Sequence, residues 1–251
     1  MQRVVLLGAS NLTYGFPLIV ESLHATFGEV DLLAAHGHGR SYGNWNRVLG
    51  RGLPGIRACG LWEQLSAGSS ERPPLGLITD VGNDLLYGAE PATILGWVEE
   101  CAQRLCRAGA AVTISGVPLE SVKRMSAPRY HATRMCFFPG SGIGWPAMRR
   151  MIDELDAGLR EIALRCAGAF VAPQREWYGV DPIHVARRHR PGAWRQILSA
   201  WPDAAVTIRR PTLVRASSLW RLRPHERQMF GREQRAPQPA LVQPGLSVRL
   251  Y

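Results

Sequence analysis

Five short apolar runs punctuate the first two thirds of the chain: 3–7 (RVVLL), 30–35 (VDLLAA), 75–79 (LGLIT), 110–115 (AAVTIS) and 169–172 (AFVA). Each is bounded by Gly, Asp or Pro and is nearly continuous in apolar side chains, the pattern of strands buried on both faces of a parallel sheet. Parallel neighbours need long crossovers, and helical patterns fill the gaps between the runs. Residues 91–107 begin at Pro91, a favoured first helical position, and stop before Gly109. Over 145–166, Trp145, Met148, Ile152, Leu155, Leu159, Ile162 and Cys166 recur at steps of three and four, one apolar stripe fit to cover a sheet. The alternation predicts a three-layer α/β/α sandwich on a parallel five-stranded sheet, spanning residues 1–201.

Residues 202–251 break that rhythm. Short β-like pieces stand among prolines, and Leu246, Val248 and Leu250 alternate with Ser247 and Arg249, as in a strand with one wet face. A C-terminal β-like extension packed on the 1–201 domain is expected. Charge is segregated too. Residues 1–186 hold 17 basic and 17 acidic side chains, whereas 187–251 hold 13 Arg against Asp203, Glu226 and Glu233, which accounts for the net +10. With Val206, Ile208, Trp220 and Phe230, this stretch is richer in β-branched and aromatic residues than a disordered arm, so its arginines are expected to pair with acidic side chains of the domain.

Composition narrows the remaining classes. At 46% hydrophobic and 20% charged, the chain is that of a soluble globular protein. No run reaches the roughly 18 apolar residues a membrane crossing needs. The first run is too short for a signal peptide and has only Arg3 before it, so a cytoplasmic location is expected. The cysteines (Cys59, Cys101, Cys106, Cys136, Cys166) form no CxxC pair, which argues against a zinc site or a disulfide framework. His36 and His38 have no third ligand at suggestive spacing, so no metal is expected, and no cofactor motif is present.

The chemistry-bearing residues lie at the ends of the runs. The first run turns into Gly8-Ala9-Ser10-Asn11, which lacks the spaced glycines of a phosphate loop and the final glycine of G-x-S-x-G. Alone, Ser10 reads as a helix cap. Near the other end of the domain, however, "DPIHVA" sets Asp181 three residues before His184, so the carboxylate can hold one ring nitrogen while the other faces outward. Between them, "VGNDLLYG" puts Asn83 just after the third run. In a parallel sheet the carboxyl ends of the strands share one rim, where Ser10, Asn83 and the Asp181/His184 loop would converge.

This arrangement resembles the SGNH (GDSL-type) hydrolase family over roughly residues 3–190. Gly8-Ala9-Ser10 is similar to the family's Gly-Asp-Ser, Val81-Gly82-Asn83-Asp84 to its Gly-x-Asn-Asp, and Asp181-Pro182-Ile183-His184 matches its Asp-x-x-His in full. For the block that donates a glycine N–H, Gly39 is the best match and Gly37 a rival. Ala9 replaces the family's Asp and Val81 its Gly, so the turn around Ser10 lacks a carboxylate that would order it, and Asn11 is a candidate substitute. The resemblance implies a flavodoxin-like SGNH hydrolase fold and a serine esterase. Ser10 would be the nucleophile, His184 the base and Asp181 its orienting acid. The N–H groups of Ser10 and Gly39 and the Asn83 amide would hold the oxyanion. The implied substrate is a small ester, an acetylated sugar or a short acyl ester, and no cofactor is implied.

Three further expectations follow. Asp84 reads as a helix cap or loop anchor rather than a catalytic acid. The stretch 116–144 is a candidate lid or pocket wall, with Phe137, Phe138 and Trp145 as an apolar lining that core packing would explain equally well. The competing function is a binding protein on a hydrolase-like scaffold, whose basic C-terminal segment holds nucleic acid or an acidic partner. No nucleic-acid-binding motif is present, which places nucleic acid second.

Overall fold

The first apolar run becomes the middle of the sheet. Gln2–Leu7 (β1) is buried along its whole length and feeds Ser10–Phe27 (α1) and then Val30–Ala35 (β2). The computed structural model describes every residue except 49, 68–71 and 138–139, and every described side chain except that of residue 137. After β2 the chain makes a small hairpin, Asn46–Val48 (β3) and Arg51–Leu53 (β4), and a short helix, Leu61–Ala67 (α2). Leu75–Ile78 (β5), Asn83–Leu86 (α3), Pro91–Arg107 (α4) and Ala111–Ser115 (β6) resume the strand–helix alternation. Two helices, Leu119–Lys123 (α5) and Ala127–Phe137 (α6), then precede Trp145–Arg165 (α7) and Ala169–Val171 (β7). The remainder comprises Arg190–Leu198 (α8), Leu213–Trp220 (α9), Glu226–Met229 (β8), Arg232–Arg235 (β9), Leu241–Gln243 (β10) and Leu246–Leu250 (β11).

The main sheet runs β10-β11-β2-β1-β5-β6-β7 and is parallel except for the β10–β11 pair. Side chains alternate across it and split the core in two. Val5, Leu7, Ile78 and Ile114 pack against α2, α4 and α7, while Val4, Leu6, Leu77 and Val248 pack against α1, α8 and α9. These are the three layers that the strand–helix alternation implied. The apolar stripe at 145–166 becomes α7, with Met148, Ile152, Leu155, Leu159 and Ile162 all buried. Among the described residues, no helix is long and apolar enough to cross a membrane.

The sheet has seven strands rather than the expected five. The added pair comes from the C-terminal stretch: β11 lies parallel to β2, with Leu246 opposite Val30 and Leu250 opposite Ala34. Without it, β2 would present a row of unpaired backbone groups to solvent. The alternation of Leu246, Val248 and Leu250 buries those three residues against the core. Charge joins the same strands. Asp31 on β2 accepts from Arg3 Nε on β1 at 3.0 Å and also from Arg249 Nη1 on β11. On α1, Glu21 accepts from Arg215 Nε at 2.7 Å.

A second sheet, β3-β4-β8-β9, joins the loop after β2 to the C-terminal stretch. Arg51 pairs with Met229 and Gly52 with Gln228, and Phe230 N–H reaches Gly50 O at 2.8 Å. The segment carrying Gly37 and Gly39 is thereby enclosed between β2 and this small sheet.

Candidate active site

The register of the central strands sets the geometry. Leu7 lies beside both Ala35 and Ile78, so the turns that follow β1, β2 and β5 emerge side by side on one rim. Two bonds extend the ladder past the strands: Gly8 N–H to Ala35 O at 3.0 Å and Thr79 N–H to Leu7 O at 2.9 Å. Gly8 permits this approach, since a Cβ there would fall 2.7 Å from Thr79 Cγ2.

Ser10 opens α1 and is 8% exposed. Its Oγ lies 2.9 Å from His184 Nε2, and His184 Nδ1 lies 2.6 Å from Asp181 Oδ2. A neutral imidazole carries one ring proton; with that proton on Nδ1 facing the carboxylate, Nε2 accepts from the Ser10 hydroxyl. Asp181 is fixed by its own loop, its Oδ1 accepting the N–H groups of Ile183 at 3.0 Å and His184 at 3.1 Å. Burial alone would push its carboxyl up. The hydrogen bond and charge of His184, together with those two N–H groups, outweigh burial and hold it below the ordinary carboxylate range. The Tyr14 ring meets the His184 ring edge-on at 5.5 Å, with the Arg190 guanidinium 4.8 Å from the Tyr14 centroid.

Asn83 begins α3 on the neighbouring turn. Its Nδ2 is shut off from solvent and has no acceptor among the described residues. A buried amide donor left in that condition costs roughly 1–3 kcal/mol. Ser10 and Asn83 both line a cavity of about 80 Å³. Its apolar wall includes Leu85, Leu86, Val117, Val122, Met148 and Ile152. The stretch read as a lid or wall contributes through α5 and α6, which supply Val122, Tyr130, Thr133 and Arg134. Trp145 stands behind Tyr130, ring centroids 4.8 Å apart. Phe138 and the Phe137 side chain, also named as candidate lining, lie outside the described residues.

Gly39 is not among the residues lining this cavity, and neither is Gly37. Gly39 has φ +62, and a Cβ there would meet Tyr87 Oη at 2.6 Å; a Cβ on Gly37 would meet Leu53 Cδ1 at 2.3 Å. Position 39 therefore requires glycine, while a side chain at Gly37 would have to displace Leu53. Gly39 O accepts from Tyr87 Oη at 2.7 Å and from Asn46 Nδ2, which ties its loop to the end of α3. Asp84 is a loop anchor: its Oδ2 accepts Tyr42 N–H at 2.9 Å, and burial pushes its carboxyl up.

One contributor, Asp80, escaped the sequence reading. Asp80 Oδ2 accepts the N–H groups of Ala9 at 2.9 Å and Leu12 at 3.0 Å, while its Oδ1 accepts Asn11 Nδ2 at 2.9 Å. The carboxylate missing at Ala9 is thus supplied from the end of β5. Asp80 takes φ +60 to reach, a conformation Asp tolerates better than most residues. Asn11 was a candidate for ordering the Ser10 turn, and it does more. Its Nδ2 donates to Ile183 O at 3.0 Å and its Oδ1 accepts Val185 N–H at 2.8 Å, clamping the His184 loop from both sides. An acid just after a strand was the only sequence signal for Asp80.

His36 contributes structure. Thr13 Oγ1 gives its proton to Ala9 O at 2.6 Å and so accepts from His36 Nδ1 at 3.0 Å. Burial first, then the nearby Arg40 and Arg51, push His36 down to about 3, and His38 is lowered chiefly by burial. Among the described residues, no three His, Cys, Asp or Glu side chains gather as a metal site.

No family model and no curated protein matches the chain. Solved structures do. An aryl esterase from M. smegmatis is 14% identical with a TM-score of 0.50, over 76% of this chain and 93% of that one. A GDSL-like lipase from Bacteroides thetaiotaomicron is 14% identical with a TM-score of 0.49, over 79% and 86%. An SGNH-hydrolase family esterase, AlinE4, is 17% identical with a TM-score of 0.41, over 80% and 93%. Likeness at this identity speaks for the fold alone: with the strand order and the layers, the match to the aryl esterase shows that the chain shares that protein's three-layer α/β/α fold, as the sequence resemblance implied.

Proposed function

We propose that the protein is a serine esterase that hydrolyses a small ester through Ser10, His184 and Asp181. The observation that carries this reading is the continuous line Asp181–His184–Ser10, at 2.6 and 2.9 Å, ending beside an apolar cavity. Ser10 Oγ attacks the ester carbonyl as His184 Nε2 takes its proton, and Asp181 holds the ring tautomer and steadies the imidazolium. Charge then develops on the carbonyl oxygen. The Asn83 amide, which lacks an acceptor among the described residues, is suited to receive it. The Ser10 N–H, a first-turn donor of α1, and the Gly39 N–H complete the proposed set. Collapse breaks the C–O bond, and His184 passes the proton to the departing alkoxide. Water repeats the cycle on the acyl enzyme and releases the acid. A cavity of about 80 Å³ favours a short acyl chain, an acetylated sugar included. The engagement of Arg215 by Glu21 and of Arg249 by Asp31 supports a structural part for the basic C-terminal stretch over a nucleic-acid arm.

Labelling with a fluorophosphonate tests the reading without knowledge of the substrate. One adduct is expected, on Ser10, absent in Ser10→Ala and much slower in His184→Ala. An adduct elsewhere, or none on folded protein, overturns it.

A further inference from the structure

The cavity wall contains one group that an apolar acyl chain leaves unsatisfied. Arg134 lines the cavity from α6, among Val122, Met125, Met148 and Ile152. Its Nε is closed to solvent and has no acceptor among the described residues. Among the described residues its guanidinium donates from Nη2 to Met135 Sδ at 3.6 Å, and a thioether is a poor acceptor. A guanidinium is always charged and presents a planar fork that matches a carboxylate. The surroundings carry the same sign: residues 116–150 hold six basic side chains (Lys123, Arg124, Arg129, Arg134, Arg149, Arg150) and one acidic, Glu120. Lys123 is engaged by Asp153, and Arg129 Nη2 donates to Val180 O at 2.7 Å, so each has an acceptor where Arg134 Nε has none among the described residues.

The cavity's orientation says which half of an ester it receives. Ser10 and Asn83 line it, whereas His184 does not. A leaving alcohol facing His184 Nε2 for protonation falls outside that lining, which favours the acyl half for the cavity. We infer that Arg134 is the anion-binding end of the acyl pocket, and that the substrate is a hemiester of a short dicarboxylic acid whose free carboxylate meets this guanidinium. The inference rests on the esterase reading and deepens it.

The test compares nitrophenyl hemiglutarate with nitrophenyl valerate, whose acyl chain is of similar length but ends in a methyl group. The wild-type protein is expected to prefer the hemiester in kcat/KM by at least about tenfold, the strength of one charged hydrogen bond. Arg134→Gln should erase that preference, chiefly by lowering kcat/KM for the hemiester, with the melting temperature close to wild type, and Arg134→Lys should keep part of it. A wild-type preference for valerate, or a ratio unchanged in Arg134→Gln, overturns the inference. If neither ester is cleaved, the esterase reading fails separately, and glutarate binding to Ser10→Ala by calorimetry decides the subsite. Binding that Arg134→Gln weakens about tenfold or more supports it; no binding at millimolar glutarate, or binding indifferent to Arg134, sinks it.

Discussion

Asp80 and Ala9 are 71 residues apart in sequence, yet the Asp80 carboxylate accepts the Ala9 N–H at 2.9 Å and so orders the turn that presents Ser10. The same carboxylate holds Leu12 N–H and Asn11 Nδ2. Asp80→Ala leaves three donors without it and forces alanine into a left-handed backbone conformation. A loss on the order of 3 kcal/mol is expected, read as a drop of roughly 10 °C in melting temperature, with kcat falling as well. Asp80→Gly relieves the backbone but not the donors. If it matches wild type in both respects, Asp80 does not order the turn.

Asn83 gives the opposite signature. Because its Nδ2 donates to no described group, Asn83→Ala removes no donor bond to any of them. The melting temperature should move by no more than about 2 °C, while kcat on a short-chain aryl ester falls about 10²–10³-fold with KM little changed. A loss confined to KM would make Asn83 a substrate binder instead.

For Asp181 the prediction concerns both rate and pH. Its folded carboxyl lies below the ordinary range, so the stability it contributes is present above the unfolded carboxylate pKa and is lost as pH falls through the lower folded one. Asp181 is therefore ionised across the neutral range, and any acid limb in kcat/KM there must come from another group. Asp181→Asn should lower kcat by about 10³–10⁴ by favouring the wrong imidazole tautomer. Unchanged activity would mean that something else orients His184.

His36 makes stability fall on mild acidification. Its folded pKa of about 3 lies below the ordinary histidine value, so between the two the unfolded chain binds a proton that the folded chain does not. Lowering pH from 6.5 to 4.5 should cost on the order of 2 kcal/mol, roughly 5 °C, from this residue alone. His36→Asn, which keeps a donor for Thr13 Oγ1, should flatten that dependence. Parallel pH–stability curves for the two proteins would rule His36 out as the cause.

Removing residues 241–251 strips β10 and β11 from the sheet and bares the β2 edge. Asp31 then keeps Arg3 but loses Arg249. The shortened protein should aggregate on expression or melt at least 10 °C lower by circular dichroism. Wild-type solubility and melting would show that the edge needs no cover.

The sequence alone determined what short-range pattern can encode. Runs such as VVLL and VDLLAA are strands because nearly every side chain is apolar, and the stripe from Trp145 to Ile162 is a helix because its period is a helix's. Ser10 and Asn83 were legible because each follows soon after a strand, and Asp181 and His184 because they form one local motif in the loop beyond the last of the five runs; a parallel sheet delivers such ends to one rim. The tertiary structure decided what depends on distant chain segments meeting. It put Asp80 in place of the acid absent at Ala9, made Asn11 the clamp on the His184 loop and gave the β2 edge to Leu246–Leu250. It also set Arg134 against an apolar cavity. None of these follows from spacing along the chain, because a hydrogen bond or a strand pairing between residues tens to hundreds of positions apart is selected by the packing of the whole sheet and its helices.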